Sequence, residues 1–289
     1  MKPARFVMER PRDLAAALSI IAGADGATKI MAGGQSLGPM LNLRLVEPDR
    51  VIDISGVPEL RGIDRTDGSL VIGACVTHAD IEDGRVPDVA NGMMARVAAG
   101  IAYRAVRNRG TIGGSLAHAD PAADWVSALT ALGAEVEIAS RARNSRRIAI
   151  GEFVVGALDV ALAADELVTA VCVPVLPSSA RWGYVKHCRK VGEFADAIGA
   201  VVIDPERGRG RAVIGAVEAA PVVIEDARLL FGGAIGPSFA ERFDAPAADS
   251  LLAAAGMSDP IDRHVHVTVL RRAIGQASVQ GSAKVLDAA

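Results

Sequence analysis

Apolar residues along the chain fall into short runs that switch between a helical and a strand-like period. Leu14, Ala17, Leu18 and Ile21 recur at helical spacing and predict one apolar face, closed by the segment from Gly23 to Gly26. Lys29 to Ala32 reads as a strand that runs directly into Gly33-Gly34-Gln35-Ser36, and Arg50 to Ile54 reads as a second strand, followed by a turn at Pro58-Glu59-Leu60. Residues 1 to about 55 therefore read as a small α/β unit. Leu70 to Ala74 is a further strand, and Thr77 is placed to cap a short helix. An Ala- and Met-rich helix is expected over 88–100, then a long stretch of turn-forming residues over 107–125. Next come a helix over 122–132, with Pro121 near its first turn, and a hairpin of strands 134–139 and 146–150. The strand Leu167 to Val173 is closed by Pro174 and Pro177.

Pro177-Ser178-Ser179 is the best domain boundary. Beyond it, runs at 181–188, 197–204 and 211–217 predict an antiparallel meander, with a turn at Asp204 to Gly208. Helices are expected at 224–231, 237–242, 247–255 and 261–276. The pattern divides the chain into 1–177, which opens with the α/β unit of residues 1 to about 55, and 178–289.

Composition narrows the function classes. Hydrophobic residues make up 51% of the 289 positions but aromatic residues only 3%, which implies an aliphatic core and argues against nucleic-acid binding on stacked aromatics. A net charge of −3 gives no field for a polyanionic partner, and the basic run Arg141 to Arg147 reads as a solvated hairpin tip. No apolar run reaches the roughly 18 residues of a membrane span, and the N-terminus lacks the apolar core of a secretory signal. A cytoplasmic protein is expected. Cys75, Cys172 and Cys188 are far apart and too few to supply the four thiolates of an iron–sulfur or zinc site.

Two segments stand out chemically: AGGQS at 32–36 and TIGGS at 111–115, each with adjacent glycines and a small hydroxyl residue after an apolar run. Glycine lets backbone amides approach phosphate oxygens and reach positive φ, so that successive N–H groups form an anion nest. Ser36, Thr111 and Ser115 add hydroxyl donors. Neither segment has Rossmann or P-loop spacing. From the residues alone the alternatives are a nucleotide-diphosphate site and a pair of tight turns. A bulky β-branched residue at Gly33 or Gly114 is expected to abolish ligand binding through a local clash while leaving much of the fold intact.

AGGQSLGPMLNLRL and RNRGTIGGSLAHADPAAD, together with VIDI at 51–54, ELRGI at 59–63, VIGA at 71–74 and DRHVHVTVLRRAI at 262–274, resemble the FAD-binding medium subunit of the carbon monoxide dehydrogenase and xanthine dehydrogenase family of molybdenum hydroxylases. The resemblance covers nearly the whole chain. It implies an α+β fold: a two-lobed FAD-binding module of the vanillyl-alcohol-oxidase (PCMH) type over 1–177, with lobes of about 1–55 and 56–177, followed by a smaller α+β domain over 178–289. It also implies non-covalent FAD in this chain, molybdopterin in a large partner subunit and 2Fe–2S clusters in a small one. The assembly would be a dimer of heterotrimers that passes electrons to an external acceptor. The first diphosphate loop falls on Ile30, Met31, Ala32, Gly33, Gly34, Gln35, Ser36 and Leu37, and the second on Thr111, Ile112, Gly113, Gly114 and Ser115. Asp124 and Ile101 match cofactor-binding positions in relatives, Val168 and Lys186 match positions near the flavin ring, and the resemblance implies that Thr77 and His78 lie near the ribityl chain. Lys186 would set positive charge beside a reduced, anionic flavin.

Gln35 and Ser115 depart from the carbon monoxide branch and resemble the branch that hydroxylates N-heterocycles and other organic substrates. The stretch 215–227 lacks the glycine-rich pattern usual in relatives. His264 and His266 read as structural rather than metal-binding, and Arg104, Arg107 and Arg109 as a solvated basic face. Two other function classes fit the same loops: a stand-alone flavin oxidase, for which no catalytic Tyr or His cluster is visible, and a non-catalytic nucleotide-binding module.

Overall fold

The computed structural model describes residues 2–24, 27–66, 68–143 and 145–286, with side chains to residue 280. Gly26 in the expected helix stop and Asn144 in the basic run lie outside the described residues. Strands β1 (Val7–Glu9), β2 (Thr28–Met31) and β3 (Arg50–Asp53) form a parallel sheet in the order β1-β3-β2. Helix α1 (Leu14–Ala22) starts where the Asp13 carboxylate accepts from the Ala16 amide at 2.7 Å and stops at Gly23. Its buried Ala17 and Ile21 pack with Ile52, Ile54, Leu60 and Leu167. Parallel pairing of β2 with β3 needs a crossover, and the chain leaves β2 through 32–36 into helix α2 (Leu37–Asn42). The first glycine loop thus lies at the carboxyl end of a parallel strand, where open α/β sheets leave a crevice.

The second sheet is antiparallel, in the order β4 (Ile63–Thr66), β5 (Ser69–Gly73), β10 (Glu166–Pro174), β6 (Glu135–Ser140), β7 (Arg146–Ala149). Helices α3 (His78–Glu82), α4 (Met93–Ala99), α5 (Arg104–Arg107), α6 (Ile112–His118) and α7 (Asp124–Leu132) connect β5 to β6. Helix α8 (Ile150–Phe153) and the ribbon of β8 (Val154–Gly156) and β9 (Asp159–Val160) connect β7 to β10. Every residue of α7 is buried, because it lies between this sheet and the next.

Several local expectations change here. The helix expected over 88–100 starts only at Met93, because Asn91 and Gly92 adopt positive φ of 51° and 84°. The stretch expected to be turns over 107–125 contains α6, and the second glycine segment is the first turn of that helix. Thr111 caps it by accepting from the Gly114 amide at 3.1 Å, which outweighs the poor helix propensity of two glycines. Helix α7 starts at Asp124, so Pro121 precedes it rather than sitting in its first turn. The basic hairpin tip is charge-compensated, with Arg143 on Asp165, Arg146 on Glu166 and Arg147 on Glu137.

The C-terminal residues build the antiparallel meander read from the sequence, as β11 (Arg181–His187), β12 (Ala197–Asp204) and β13 (Arg209–Gly215), with a fourth strand β14 (Val222–Ile224) added. Helix α10 (Pro260–Leu286) crosses β11 and β12 so closely that a side chain on Gly183 would overlap the Ala273 carbonyl. The helices expected at 224–231 and 237–242 are instead 3-10 turns at Ala227–Leu230 and Phe239–Arg242, whose Phe231 and Phe239 stack edge to face at 5.7 Å. Helix α9 (Ala245–Ala254) starts at an Asp244 cap. His264 and His266 are both on α10; His264 is exposed, while the buried His266 has ring nitrogens 2.8 Å from the Asp262 carbonyl and 3.2 Å from that of Ala216. Their two-residue spacing on a helix points them in different directions. Asn91 ties the boundary segment back by donating to the carbonyls of Pro177 and Ala180.

Candidate functional site

A cavity of about 1090 Å³ opens where the carboxyl end of β2, the start of α6 and the start of α7 converge. Ligand sites usually run from roughly 300 to 1,000 Å³, so this one has room for a dinucleotide rather than a single small metabolite.

The two glycine segments meet in its wall. A side chain on Gly33 would overlap the Arg109 carbonyl, and one on Gly114 would come within 3.6 Å of the Ala32 methyl. The first segment has the character expected of an anion nest. Gly34 is left-handed at φ 70°, and the Gln35 side chain folds back to donate to the Gly33 carbonyl at 3.1 Å. Among the described residues, no protein acceptor is found for the amides of Gly33, Gly34, Gln35 and Ser36.

The second segment differs from the expectation of a second nest. The amides of Ile112 and Gly113 donate to the carbonyls of Val76 and Ala74, that of Gly114 to the Thr111 hydroxyl, and that of Ser115 to the Thr111 carbonyl. Its glycines are there for packing: a side chain on Gly113 would overlap Ala74. What it offers the cavity is a surface of small residues and the Ser115 side chain.

Beside the loops stand two buried polar groups. The Trp125 indole N–H donates to His78 Nδ1 at 3.0 Å, and His78, 5% exposed, borders the cavity. Burial, followed by the Arg107 charge, pushes the His78 ring down to a pKa of about 4. The Asp124 carboxylate accepts from Lys186 Nζ at 2.9 Å and from the Tyr184 hydroxyl at 2.7 Å, and Lys186 also donates to the Gly100 carbonyl at 2.8 Å. Burial raises the Asp124 pKa against the opposing pull of Lys186 and Tyr184. Burial also pushes the Tyr184 hydroxyl well up, so it stays a donor.

The structure brings Ile30 to Leu37, Ile101, Thr111, Gly113, Gly114, Ser115, Asp124 and Val168 to one cavity wall. It leaves three expected residues out of that wall. Thr77 is turned away into a capping box with Asp80, its hydroxyl donating at 2.6 Å. Ile112 is fully buried in the core. Lys186 stands behind Asp124, and that carboxylate compensates its ammonium, so the site gains no uncompensated positive charge from it. Arg104 and Arg107 are likewise paired, with Glu82 and Asp83. Sequence reading missed the segment 189–196 between β11 and β12, which brings Arg189, Gly192, Glu193, Phe194 and Asp196 to the cavity mouth. Gly192 there is left-handed, and a side chain on it would come 3.0 Å from the Ala102 carbonyl. No local signal marks this contact, because it joins chain segments about ninety residues apart.

A cavity of this size, with free backbone donors at one strand end and little fixed positive charge, fits a bound FAD whose diphosphate is held by amides. Comparison with known proteins agrees. The family model for the FAD binding domain in molybdopterin dehydrogenase matches residues 4–176. The nicotine 6-hydroxylase medium subunit of Paenarthrobacter nicotinovorans is 39% identical over 214 residues, 73% of this chain and 69% of that one. A chain of quinoline 2-oxidoreductase from Pseudomonas putida 86 superposes with a TM-score of 0.82 at 32% identity, covering 97% of this chain and 99% of that one. A chain of carbon monoxide dehydrogenase from Hydrogenophaga pseudoflava gives 0.84 at 28%, covering 96% and 98%. With relatives aligned over more than two thirds of its length and the whole fold shared, this chain belongs to the FAD-binding medium subunits of the molybdenum hydroxylases.

Proposed function

We propose that the chain holds one non-covalent FAD across the two glycine segments and serves as the electron relay of a heterotrimeric molybdenum hydroxylase. The observation that carries this reading is the juxtaposition of the free amides of Gly33 to Ser36 with the Thr111–Ser115 surface on a single cavity. The first segment grips the diphosphate, and the second supplies a close-packed floor with the Ser115 hydroxyl. Ile101, Val168 and the Asp124 carboxylate, steadied by Lys186 and Tyr184, line the flavin end. Bound FAD supplies the redox chemistry, taking electrons from 2Fe–2S clusters in a small partner subunit and delivering them to an external acceptor. The chain's own residues bind, orient and keep water from the cofactor, and none is required as a general acid or base. Residues 1–177 form the FAD-binding domain and 178–289 the C-terminal domain, which reaches the cofactor through β11 and the 189–196 segment.

The substrate is hydroxylated in a large molybdopterin subunit, and an N-heterocyclic substrate is favoured by Gln35, Ser115 and the likeness to proteins named for nicotine and quinoline. The assembly is a cytoplasmic dimer of heterotrimers. Among the described residues, no helix is long and apolar enough to cross a membrane. Purification of the tagged chain from its own cells tests the reading: flavin absorption, with stoichiometric co-purification of a cluster-bearing and a molybdenum-bearing chain, is expected. A flavin-loaded chain that purifies alone and turns over a substrate would instead make it a self-sufficient oxidase.

A further inference from the structure

The indole N–H can only donate, so the 3.0 Å contact from Trp125 to His78 fixes Nδ1 as an acceptor. In the neutral ring the remaining proton must then sit on Nε2. That side of the ring faces Gly110, where any side chain would come within 2.8 Å of Nε2 and Cδ2, and it borders the cavity next to the junction of the two glycine segments. Among the described residues, Nε2 has no hydrogen-bond partner, although His78 is only 5% exposed. Nε2 is not sealed off, because His78 lines the cavity, so an Nε2–H without a protein acceptor is open to an oxygen of the ligand that the cofactor reading places there.

We infer that Trp125, fully buried and outside the cavity wall, is a positioning residue that locks His78 as an Nε2–H donor to an oxygen in the ribityl–diphosphate region of bound FAD. The inference rests on the proposed cofactor reading. One turn of α7 thus supplies both Asp124, to the cavity, and Trp125, to the ring behind it. The low pKa of the ring, caused by burial and by Arg107, keeps it a neutral donor at ordinary pH, where an imidazolium would carry a second charge.

Nitrogen-15 spectra of the imidazoles in the full chain, recorded without and with saturating FAD, test this directly. The expected result is an Nε2–H tautomer for His78 in both states, with the Nε2 resonance moving on FAD addition. Trp125→Phe is expected to give a mixture of tautomers with a raised ring pKa. His78→Leu should weaken FAD binding about tenfold, as loss of one buried hydrogen bond does, while His78→Gln, which keeps an N–H, should stay near the parent. A proton on Nδ1, an Nε2 resonance indifferent to saturating FAD, or equal affinities of the Leu and Gln variants would overturn the inference. Should Trp125→Phe fail to fold, the parent spectra and the His78 variants decide it. An unaltered chain that takes up no FAD overturns the cofactor reading itself, and is recognised before any variant is made.

Discussion

The two glycine segments look alike on paper and differ in the fold. At 32–36 the chain leaves a parallel strand, passes through a left-handed Gly34 and presents backbone amides that no group among the described residues accepts from. At 111–115 the same residue types start a helix, and the amides from Ile112 to Ser115 are all taken by Val76, Ala74 and Thr111. Glycine is needed at Gly33 because the neighbouring loop's backbone touches it, and at Gly113 because Ala74 does. One segment therefore grips while the other fits. A motif of small residues reports close approach without saying whether a ligand or the protein's own backbone approaches.

This contrast can be broken experimentally. Gly33→Val drives a branched side chain into the Arg109 carbonyl and separates the segments. We expect flavin content to fall at least about a hundredfold in affinity terms, together with a lower melting temperature. Gly114→Val meets only the Thr111 hydroxyl at 2.7 Å and the Ala32 methyl at 3.6 Å, so its loss of flavin should be clearly smaller; equal losses would erase the distinction.

Acid should weaken the second segment's support. His78 donates its backbone amide to the Gly110 carbonyl, and its ring is neutral in the fold, with a pKa of about 4 against 6.5 when unfolded. The unfolded chain thus binds the extra proton first. The contribution is complete above pH 6.5 and is lost as pH falls to about 4, amounting to roughly 3 kcal/mol. Denaturant melts across that range should show the slope, and His78→Gln should flatten it. Gly113→Val should cost about 2 kcal/mol of fold stability by overpacking Ala74, with flavin loss only in proportion to unfolding. Thr111→Val should remove the α6 cap for about 1 kcal/mol, read as a small shift in melting temperature.

What was legible in the sequence is what the chain decides locally. The α1 face, the strand-to-turn step after Met31, the hairpin around the basic run and the C-terminal meander are set by periodicity and turn residues within about ten positions. The helical start at 111 was hidden because its glycines argue against a helix and its amide acceptors come from a strand end some 40 residues earlier. The expected helices at 224–231 and 237–242 shrank to 3-10 turns around the Phe231–Phe239 pair, a packing preference that no local pattern encodes.

The sequence by itself determined the family, the α+β element types and the position of the two glycine segments, since motifs, alternation and turn residues are properties of neighbouring residues; which of the two keeps its amides free was decided by the fold. Only the tertiary structure decided that Asp124 compensates Lys186, that Trp125 orients His78 and that 189–196 borders the cavity. Each of these joins groups roughly 50 or more residues apart, and whether a buried charge or ring nitrogen is paired depends on what burial brings to within hydrogen-bond distance.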